Sequence, residues 1–235
     1  MYRLGNFCIF LAAFPLLAAL WAEGAVFLSS LPNPRSLLWF GIGMGGMLLL
    51  CILLRGTTLH FNEVATHEMA HAWTGLMFLG EADMIRVEGR NTPESSSGET
   101  DWGLRNREIF LVSIAPYSFP LLAIPPLVLK LLPFGQTPPA SLVIDVVLGA
   151  ALAFNYHYIW NDFGVVQTDL TRVCTPVGFV SAMTFQLIFL VIALSAVMGS
   201  PQLIGSYFWA AGVRALDYYK IMFEVLSQAW AAATG

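Results

Sequence analysis

The chain is organised around one stretch, Thr-His-Glu-Met-Ala-His-Ala-Trp at residues 66–73, which contains the pattern His-Glu-x-x-His. In a helix, His67 and His71 lie one turn apart on the same face. Two imidazoles placed in this way can fill two corners of a tetrahedral zinc site. Glu68 directly follows His67, where it could accept a proton from a zinc-bound water. A single helical turn therefore predicts two zinc ligands, His67 and His71, and a catalytic base, Glu68.

The surroundings of the motif favour this functional interpretation. The chain has four histidines, and two of them lie in the motif, inside an apolar stretch. Ionisable side chains are costly in such a setting and usually mark functional sites. His60 and Glu63 share the face of His67 and His71, which makes them candidates to orient the ligands. The alternative is a set of hydrogen-bonded side chains in a helix bundle without a metal.

The composition predicts an integral membrane protein. Of 235 residues, 57% are hydrophobic and 11% are charged, and the mean hydropathy is +0.69. A soluble domain has about 25% charged residues. The small net charge of −4 argues against nucleic acid as a partner. The three cysteines are scattered, so they predict neither a metal-binding pair nor a disulfide framework.

The apolar runs predict an all-α polytopic membrane protein with about six transmembrane helices. The predicted helices cover residues 5–28, 36–54, 58–79, 109–132, 142–160 and 179–198. The second contains four glycines that predict close helix packing, namely Gly41, Gly43, Gly45 and Gly46. Four prolines must kink or interrupt the fourth, namely Pro116, Pro120, Pro125 and Pro126. Such breaks occur at membrane depth only where the backbone is buried or lines a cavity.

Two further segments have their own patterns. Residues 81–108 form the only long polar segment, and alternation at 82–88 with a possible return at 100–103 predicts a small β-hairpin-like loop at the membrane surface. An extended substrate could add to its edge as a strand, and a plain connecting loop is the alternative.

Near the C-terminus, four charged residues at helical spacing predict an amphipathic helix at the membrane interface, or one packed on a partner subunit: Arg214, Asp217, Lys220 and Glu224.

A catalytic zinc site needs a third protein ligand. The candidates are His60, Glu63, Asp145, His157, Asp162 and Asp169. His60 and Glu63 lie on the motif's own helix, which gives poor geometry for reaching the same ion. Asp162 and Asp169 come from a distant segment that returns on the side of the polar loop. The residues by themselves leave this choice open.

The pattern resembles the site-2 proteases, intramembrane metalloproteases of peptidase family M50, and in outline their compact branch. Three features carry the likeness: the motif at 67–72, the polar segment followed by Ile-Ala-Pro at 114–116, and Thr-Asp-Leu at 168–170. The likeness implies that His67, His71 and Asp169 bind Zn²⁺ and that Glu68 activates water. It also implies that Asn155 or Asn161 holds the substrate. Asp162 and His157 remain the alternatives for the third ligand.

The chain divides into three regions, and the resemblance covers about residues 58 to 175 of it. Residues 1–57 hold two transmembrane helices, 58–178 form the catalytic core, and 179–235 hold a transmembrane helix and the amphipathic helix. The expected function is a zinc-dependent endopeptidase that hydrolyses a peptide bond in or near a transmembrane segment. The expected location is a membrane, the bacterial inner membrane, and the expected partners are a membrane protein substrate, the lipid bilayer and partner subunits.

Two other functions stay open on the sequence. The chain could be a non-catalytic or regulatory membrane subunit of a larger complex that retains a protease-like metal site. Haem ligation by His67, His71 or His157 is the other possibility. His67 and His71 share a helix face, so they cannot hold one haem between them.

Overall fold

The computed structural model describes residues 2–31, 35–54, 59–79, 84–88, 97–101, 110–163 and 175–234. These residues are mainly α-helical. The helices are α1 Tyr2–Ser29, α2 Arg35–Leu53, α3 Leu59–Leu79, α4 Phe110–Ser113, α5 Ala115–Ser118, α6 Ile124–Leu131, α7 Ala140–Phe163, α8 Thr175–Val197 and α9 Gln202–Thr234. The strands are β1 Met84–Glu88 and β2 Ser97–Asp101, and short 3₁₀ helices cover Leu121–Ala123 and Pro133–Gln136.

Three helices are long and apolar enough to cross a membrane. The candidate spans are Cys8–Ser29, Ala140–Asn161 and Pro176–Val197, each of 22 residues. At 1.5 Å per residue, such a span is about 33 Å long, which matches the apolar thickness of a bilayer. Leu37–Leu53 and Leu121–Leu131 are apolar but shorter. The described residues are thus compatible with a membrane protein of three spans, and the larger number of about six stays a prediction.

The region predicted as a fourth span, 109–132, is not one helix. Within its described residues it is divided into α4, α5, the 3₁₀ helix Leu121–Ala123 and α6. The prolines cause these breaks, because proline has no N–H to donate and its ring clashes with the preceding turn. The predicted interruption is therefore confirmed, and the backbone of α5 is buried as the membrane setting requires.

Two glycines let α2 and α7 touch backbone to backbone. A Cβ built on Gly43 would lie 2.0 Å from the Val146 carbonyl oxygen, and one on Gly149 would lie 2.1 Å from that of Phe40. No real side chain fits in either place. The prediction of close packing is therefore right for Gly43. Among the described residues, a Cβ on Gly41, Gly45 or Gly46 would meet nothing within 4 Å, so no close contact supports the prediction for these three.

We expect Gly43→Ala to lower the melting temperature of the protein in detergent by about 5 °C, because overpacking costs about 1–3 kcal/mol. Gly45→Ala is the matched control, since it adds the same methyl group to the same helix in open space. Alanine is the better helix former, so this control should leave the melting temperature unchanged or raise it. Equal losses in both variants would contradict the backbone contact.

Helices α1, α8 and α9 also pack on one another and share one hydrophobic core with α2 and α7. The Trp21 indole donates to the Thr184 hydroxyl at 3.1 Å, and a Cβ on Gly24 would press on Leu187, so α1 and α8 run parallel. Helix α9 runs back along α1. The hydroxyl of Tyr207 donates to the Leu20 carbonyl, and that of Tyr219 donates to the Ala12 carbonyl, both at 2.9 Å.

Helix α9 contacts α1 through residues between Tyr207 and Tyr219. Its predicted position at a membrane interface stays a prediction. One of the charged residues that suggested a water-facing side of α9 instead takes part in the contact between α1 and α9. Arg214 forms an ion pair with Glu23, whose side chain is only 11% exposed. A helix with such a stripe can therefore lie against an apolar neighbour.

The polar segment contains two paired strands. Strands β1 and β2 are antiparallel, with Met84 opposite Asp101 and Glu88 opposite Ser97. Both lie next to α3, the helix of the His-Glu-x-x-His motif. Residues 89–96 lie outside the described ranges, so the turn of the predicted hairpin and its position at a membrane surface stay predictions.

Candidate metal centre

The two histidines of the motif face each other on α3. Their Nε2 atoms lie 3.2 Å apart, and the planes of their rings are 71° from one another. Two nitrogens bound to one tetrahedral zinc at 2.0–2.1 Å are separated by about 3.3 Å. The pair therefore has the spacing of two ligands on one ion. A hydrogen bond between the two rings would have a similar length.

The orientation of His71 is fixed from outside its own helix. Its Nδ1 lies 2.8 Å from the carbonyl oxygen of Val112. A carbonyl only accepts, so Nδ1 donates the proton of this hydrogen bond, and in a neutral ring the lone pair is then on Nε2, which faces His67. Metal-binding histidines are commonly held by such a bond from the other ring nitrogen. The side chain is also buried, at 3% exposure.

The prolines explain why the Val112 carbonyl is available. In a helix, that carbonyl would accept from the residue four positions later, which is Pro116 and has no N–H. The same relation holds between Pro116 and Pro120, and here the carbonyl of Pro116 accepts a hydrogen bond from the hydroxyl of Tyr158. Prolines spaced by four thus release two carbonyls, one to orient His71 and one to fasten α5 to α7.

Buried amides support the other side of the histidine pair. The ring of Tyr117 meets the ring of His67 edge-on, with centroids 5.5 Å apart. The carbonyl of Tyr117 accepts from Gln186 at 2.7 Å, and Gln186 accepts from the Asn155 amide at 3.1 Å. Among the described residues, Oδ1 of Asn155 has no hydrogen-bond partner, although it is buried. A chain of contacts therefore joins α3, α5, α8 and α7 around the pair.

Glu68 is buried with the histidines. Its exposed fraction is 8%, compared with 47% for its neighbour Met69. The carboxylate thus lies on the inward side of α3 together with His71. The predicted catalytic base is therefore buried on the helix of the histidine pair, and its role stays a prediction.

A second polar group lies one turn earlier on α3. Glu63 is 3.6 Å from Nε2 of His157, and the Asn161 amide lies 3.4 Å from Glu63 and 3.1 Å from His157. His157, an alternative third ligand, is thus engaged with Glu63 and Asn161. Asn161 belongs to this group as well, so of the two candidate substrate-holding residues only Asn155 lies in the contacts around His67.

The remaining candidate ligands are accounted for as follows. Asp145 forms a buried ion pair with Lys130 at 2.8 Å. Asp169 and the side chains of His60 and Asp162 lie outside the described part of the structure. Within that part, no three His, Cys, Asp or Glu side chains form a group that could hold a metal ion. Of the predicted ligand set of His67, His71 and Asp169, the structure therefore describes only the two histidines.

No family model, curated protein or solved structure matches the chain. The resemblance to site-2 proteases therefore rests on the motifs of the sequence.

The residues fit a zinc ion as far as they are described. The Nε2 atoms of two imidazoles converge, Nδ1 of His71 is held by a carbonyl, and the residue after His67 is the buried Glu68. This donor set suits Zn²⁺, which prefers nitrogen and oxygen ligands of this kind. One more protein ligand would complete the set of three that catalytic zinc sites use.

Proposed function

We propose that the protein is a zinc-dependent endopeptidase of the site-2 protease type, integral to a membrane, that hydrolyses a peptide bond in or near a transmembrane segment. The observation that carries this proposal is the convergence of the His67 and His71 Nε2 atoms, with His71 oriented by a carbonyl that proline has released. The buried Glu68 beside them supplies the base that hydrolysis requires.

The depth of the centre supports hydrolysis inside the bilayer. Gln186 lies in the middle of the candidate span Pro176–Val197, and it holds the carbonyl of Tyr117, whose ring contacts His67. If α8 crosses a membrane, the histidine pair is near its mid-plane. Ionisable side chains at that depth are expected to face the protein interior and to serve a function.

The proposed reaction uses the chain's own residues as follows. His67 and His71 would hold the zinc ion, which when bound would act as a Lewis acid and lower the pKa of water. Val112 keeps the His71 ring in position. Glu68 accepts a proton from the attacking water and passes it to the leaving amine. The Asn155 Oδ1 atom is an available acceptor for a backbone N–H of the substrate.

Asp169 remains our choice for the third ligand. It follows Phe163, the last residue of α7, by six residues, which span up to about 20 Å. Near its end, α7 contacts α3 through Asn161 and Glu63, one turn from His67. The segment after α7 is therefore long enough to return to the histidines. Asp162 is the alternative from the same region.

Elemental analysis of the purified protein tests the metal site. We expect one zinc per chain in the wild type and a loss of most of it in His67→Ala and in His71→Ala, because two ligands cannot hold a catalytic ion tightly. His157→Ala is the matched control and should keep its zinc, since His157 pairs with Glu63. Asp169→Asn should reduce zinc, and full retention in that variant would point to Asp162.

The second candidate function is a non-catalytic subunit of a membrane complex. The 3.2 Å spacing favours it in one respect, because a hydrogen bond between the two rings would explain the distance without an ion. That function predicts wild-type protein without zinc that purifies with partner chains in fixed stoichiometry.

A further inference from the structure

A backbone carbonyl near the end of α5 is available for contact with a side chain. In a continuing helix, the Tyr117 carbonyl would accept from Leu121, but the Leu121 N–H donates to Phe119 at 2.8 Å. The residue three positions after Tyr117 is Pro120, which has no N–H. The Tyr117 carbonyl is instead held by the side-chain amide of Gln186, at 2.7 Å.

This carbonyl fixes the direction of two side-chain amides, one after the other. A backbone carbonyl only accepts, so Gln186 must turn its NH₂ group towards Tyr117 and its oxygen away. That oxygen also only accepts, and it takes a hydrogen bond from the NH₂ group of Asn155 at 3.1 Å. Asn155 is therefore left with its oxygen, an acceptor, at the far end. We call the Tyr117 carbonyl and the amides of Gln186 and Asn155 the amide chain.

The amide chain is buried throughout. Tyr117, Gln186 and Asn155 are 0%, 4% and 2% exposed. Within the described ranges, Oδ1 of Asn155 has no hydrogen-bond partner. A buried polar atom without a partner is costly and uncommon in a folded protein. A ligand that donates an N–H to Oδ1 would satisfy it, whereas a ligand carbonyl would not.

Gln186 joins the two parts of the proposed site. On one side it holds the carbonyl of Tyr117, whose ring meets the ring of His67 edge-on, with centroids 5.5 Å apart. On the other side it holds Asn155, whose oxygen is the acceptor that the proposed function assigns to a substrate N–H. One side chain from the middle of α8 thus contacts a neighbour of the histidine pair and the residue proposed to hold the substrate.

We propose that Gln186 is a positioning residue for substrate binding, an inference that rests on the proposed function. Gln186 holds the Asn155 amide with its oxygen as the group offered to the substrate. Without Gln186, this amide can turn over, and its NH₂ group then opposes the N–H of the substrate. The ligand at this position is a peptide segment with a free backbone N–H. Proline and other N-alkylated residues are therefore disfavoured at one position of the substrate.

Cleavage of N-methylated peptides tests the role of Gln186. Each peptide lacks one backbone N–H, and the methyl group is moved along the sequence around the cleavage site. At one position, methylation should raise the KM of the wild type about tenfold, and in Asn155→Leu this ratio should fall to about threefold or less. Gln186→Met should lower the ratio at the same position. A general loss of stability would instead slow the cleavage of all peptides alike and leave the ratio unchanged.

Thr184→Val is the matched control. Thr184 lies on the same helix and is 3% exposed, and it accepts from Trp21 on α1, on the side of α8 away from Gln186. This variant also loses a buried polar group, but it should keep the tenfold ratio. A Gln186→Met variant that keeps the ratio while Asn155→Leu loses it would overturn the proposal, and so would a wild type without such a position.

Melting temperatures in detergent test the amide chain without catalysis. Gln186→Met leaves two partners unsatisfied and should lower the melting temperature by about 6 °C, whereas Asn155→Leu leaves one and should lower it by about 3 °C. The double variant should melt no lower than Gln186→Met, because Asn155 has then already lost its partner. Additive losses would overturn the proposal. If the losses are not additive but the wild type cleaves no peptide, the proposed function fails and the positioning role fails with it, while the amide chain stands.

Discussion

Replacing Glu68 with Gln is expected to lower peptide cleavage by about 10²- to 10⁴-fold while zinc stays bound. Gln has nearly the same shape as Glu but cannot accept a proton, so the change removes the base and leaves His67 and His71 in place. The measurement uses purified protein in liposomes with a pool of single-span membrane peptides, and mass spectrometry counts the new termini. Zinc content is measured on the same samples.

Glu63→Gln is the matched control for this experiment. It makes the same chemical change on the same helix, one turn before His67, at a carboxylate that pairs with His157. We expect the Glu63→Gln variant to cleave peptides at a rate within about tenfold of the wild type. The Glu63 carboxylate contacts a neighbour of the proposed site and takes no part in the proposed reaction. If Glu68→Gln retains zinc and cuts peptides as fast as the wild type, Glu68 is not the base.

Breaking the buried ion pair between α6 and α7 should have the largest effect on stability. Lys130 and Asp145 are 1% and 3% exposed, and the Lys130 ammonium also donates to the Ser141 hydroxyl at 2.6 Å. Lys130→Met leaves the carboxylate without its cation, which typically costs about 3–5 kcal/mol. For a chain of this size, we expect the melting temperature in detergent to fall by about 10 °C.

The double variant Lys130→Met/Asp145→Leu serves as the control. It removes both charges together and replaces them with apolar groups, a change that is often neutral or stabilising. Its melting temperature should therefore lie well above that of Lys130→Met. A double variant that is less stable than the single one would mean that the two side chains contribute to stability independently.

The boundaries of α3, the helix that carries His67 and His71, were predicted closely from the sequence. The motif helix was expected at 58–79 and is Leu59–Leu79, because its apolar run is long and free of proline. The two histidines were expected on one face and do face each other. Local spacing determines both results, since residues four apart on a helix are neighbours whatever the rest of the chain does.

The supports of the centre were harder to predict because they depend on contacts between distant residues. Val112 and Tyr158 do have a signal in the sequence, the prolines at 116 and 120 that release carbonyls four residues earlier. Gln186 has no such signal, since nothing in the sequence distinguishes it from other polar residues of its helix, such as Thr184. Asp169 depended on the resemblance, and its position stays a prediction.

The contact between α9 and α1 could not be obtained from the charge pattern of α9. Arg214 and its neighbours at helical spacing are typical of a helix that lies at a water interface. The pairing of Arg214 with Glu23, 191 residues earlier, instead allows this stripe to lie along α1. A pattern within one helix does not reveal charges that a distant segment neutralises.

The glycine contacts between α2 and α7 have a mechanical consequence. Helices that meet backbone to backbone have no flexible side chains between them to absorb a displacement, so α2 and α7 must tilt as one body. The far end of α7 carries Asn155 and Tyr158, which hold the surroundings of His67. We therefore expect a bilayer that thins or thickens around α2 to shift α7 as well, and the proposed catalysis would then depend on the length of the surrounding acyl chains.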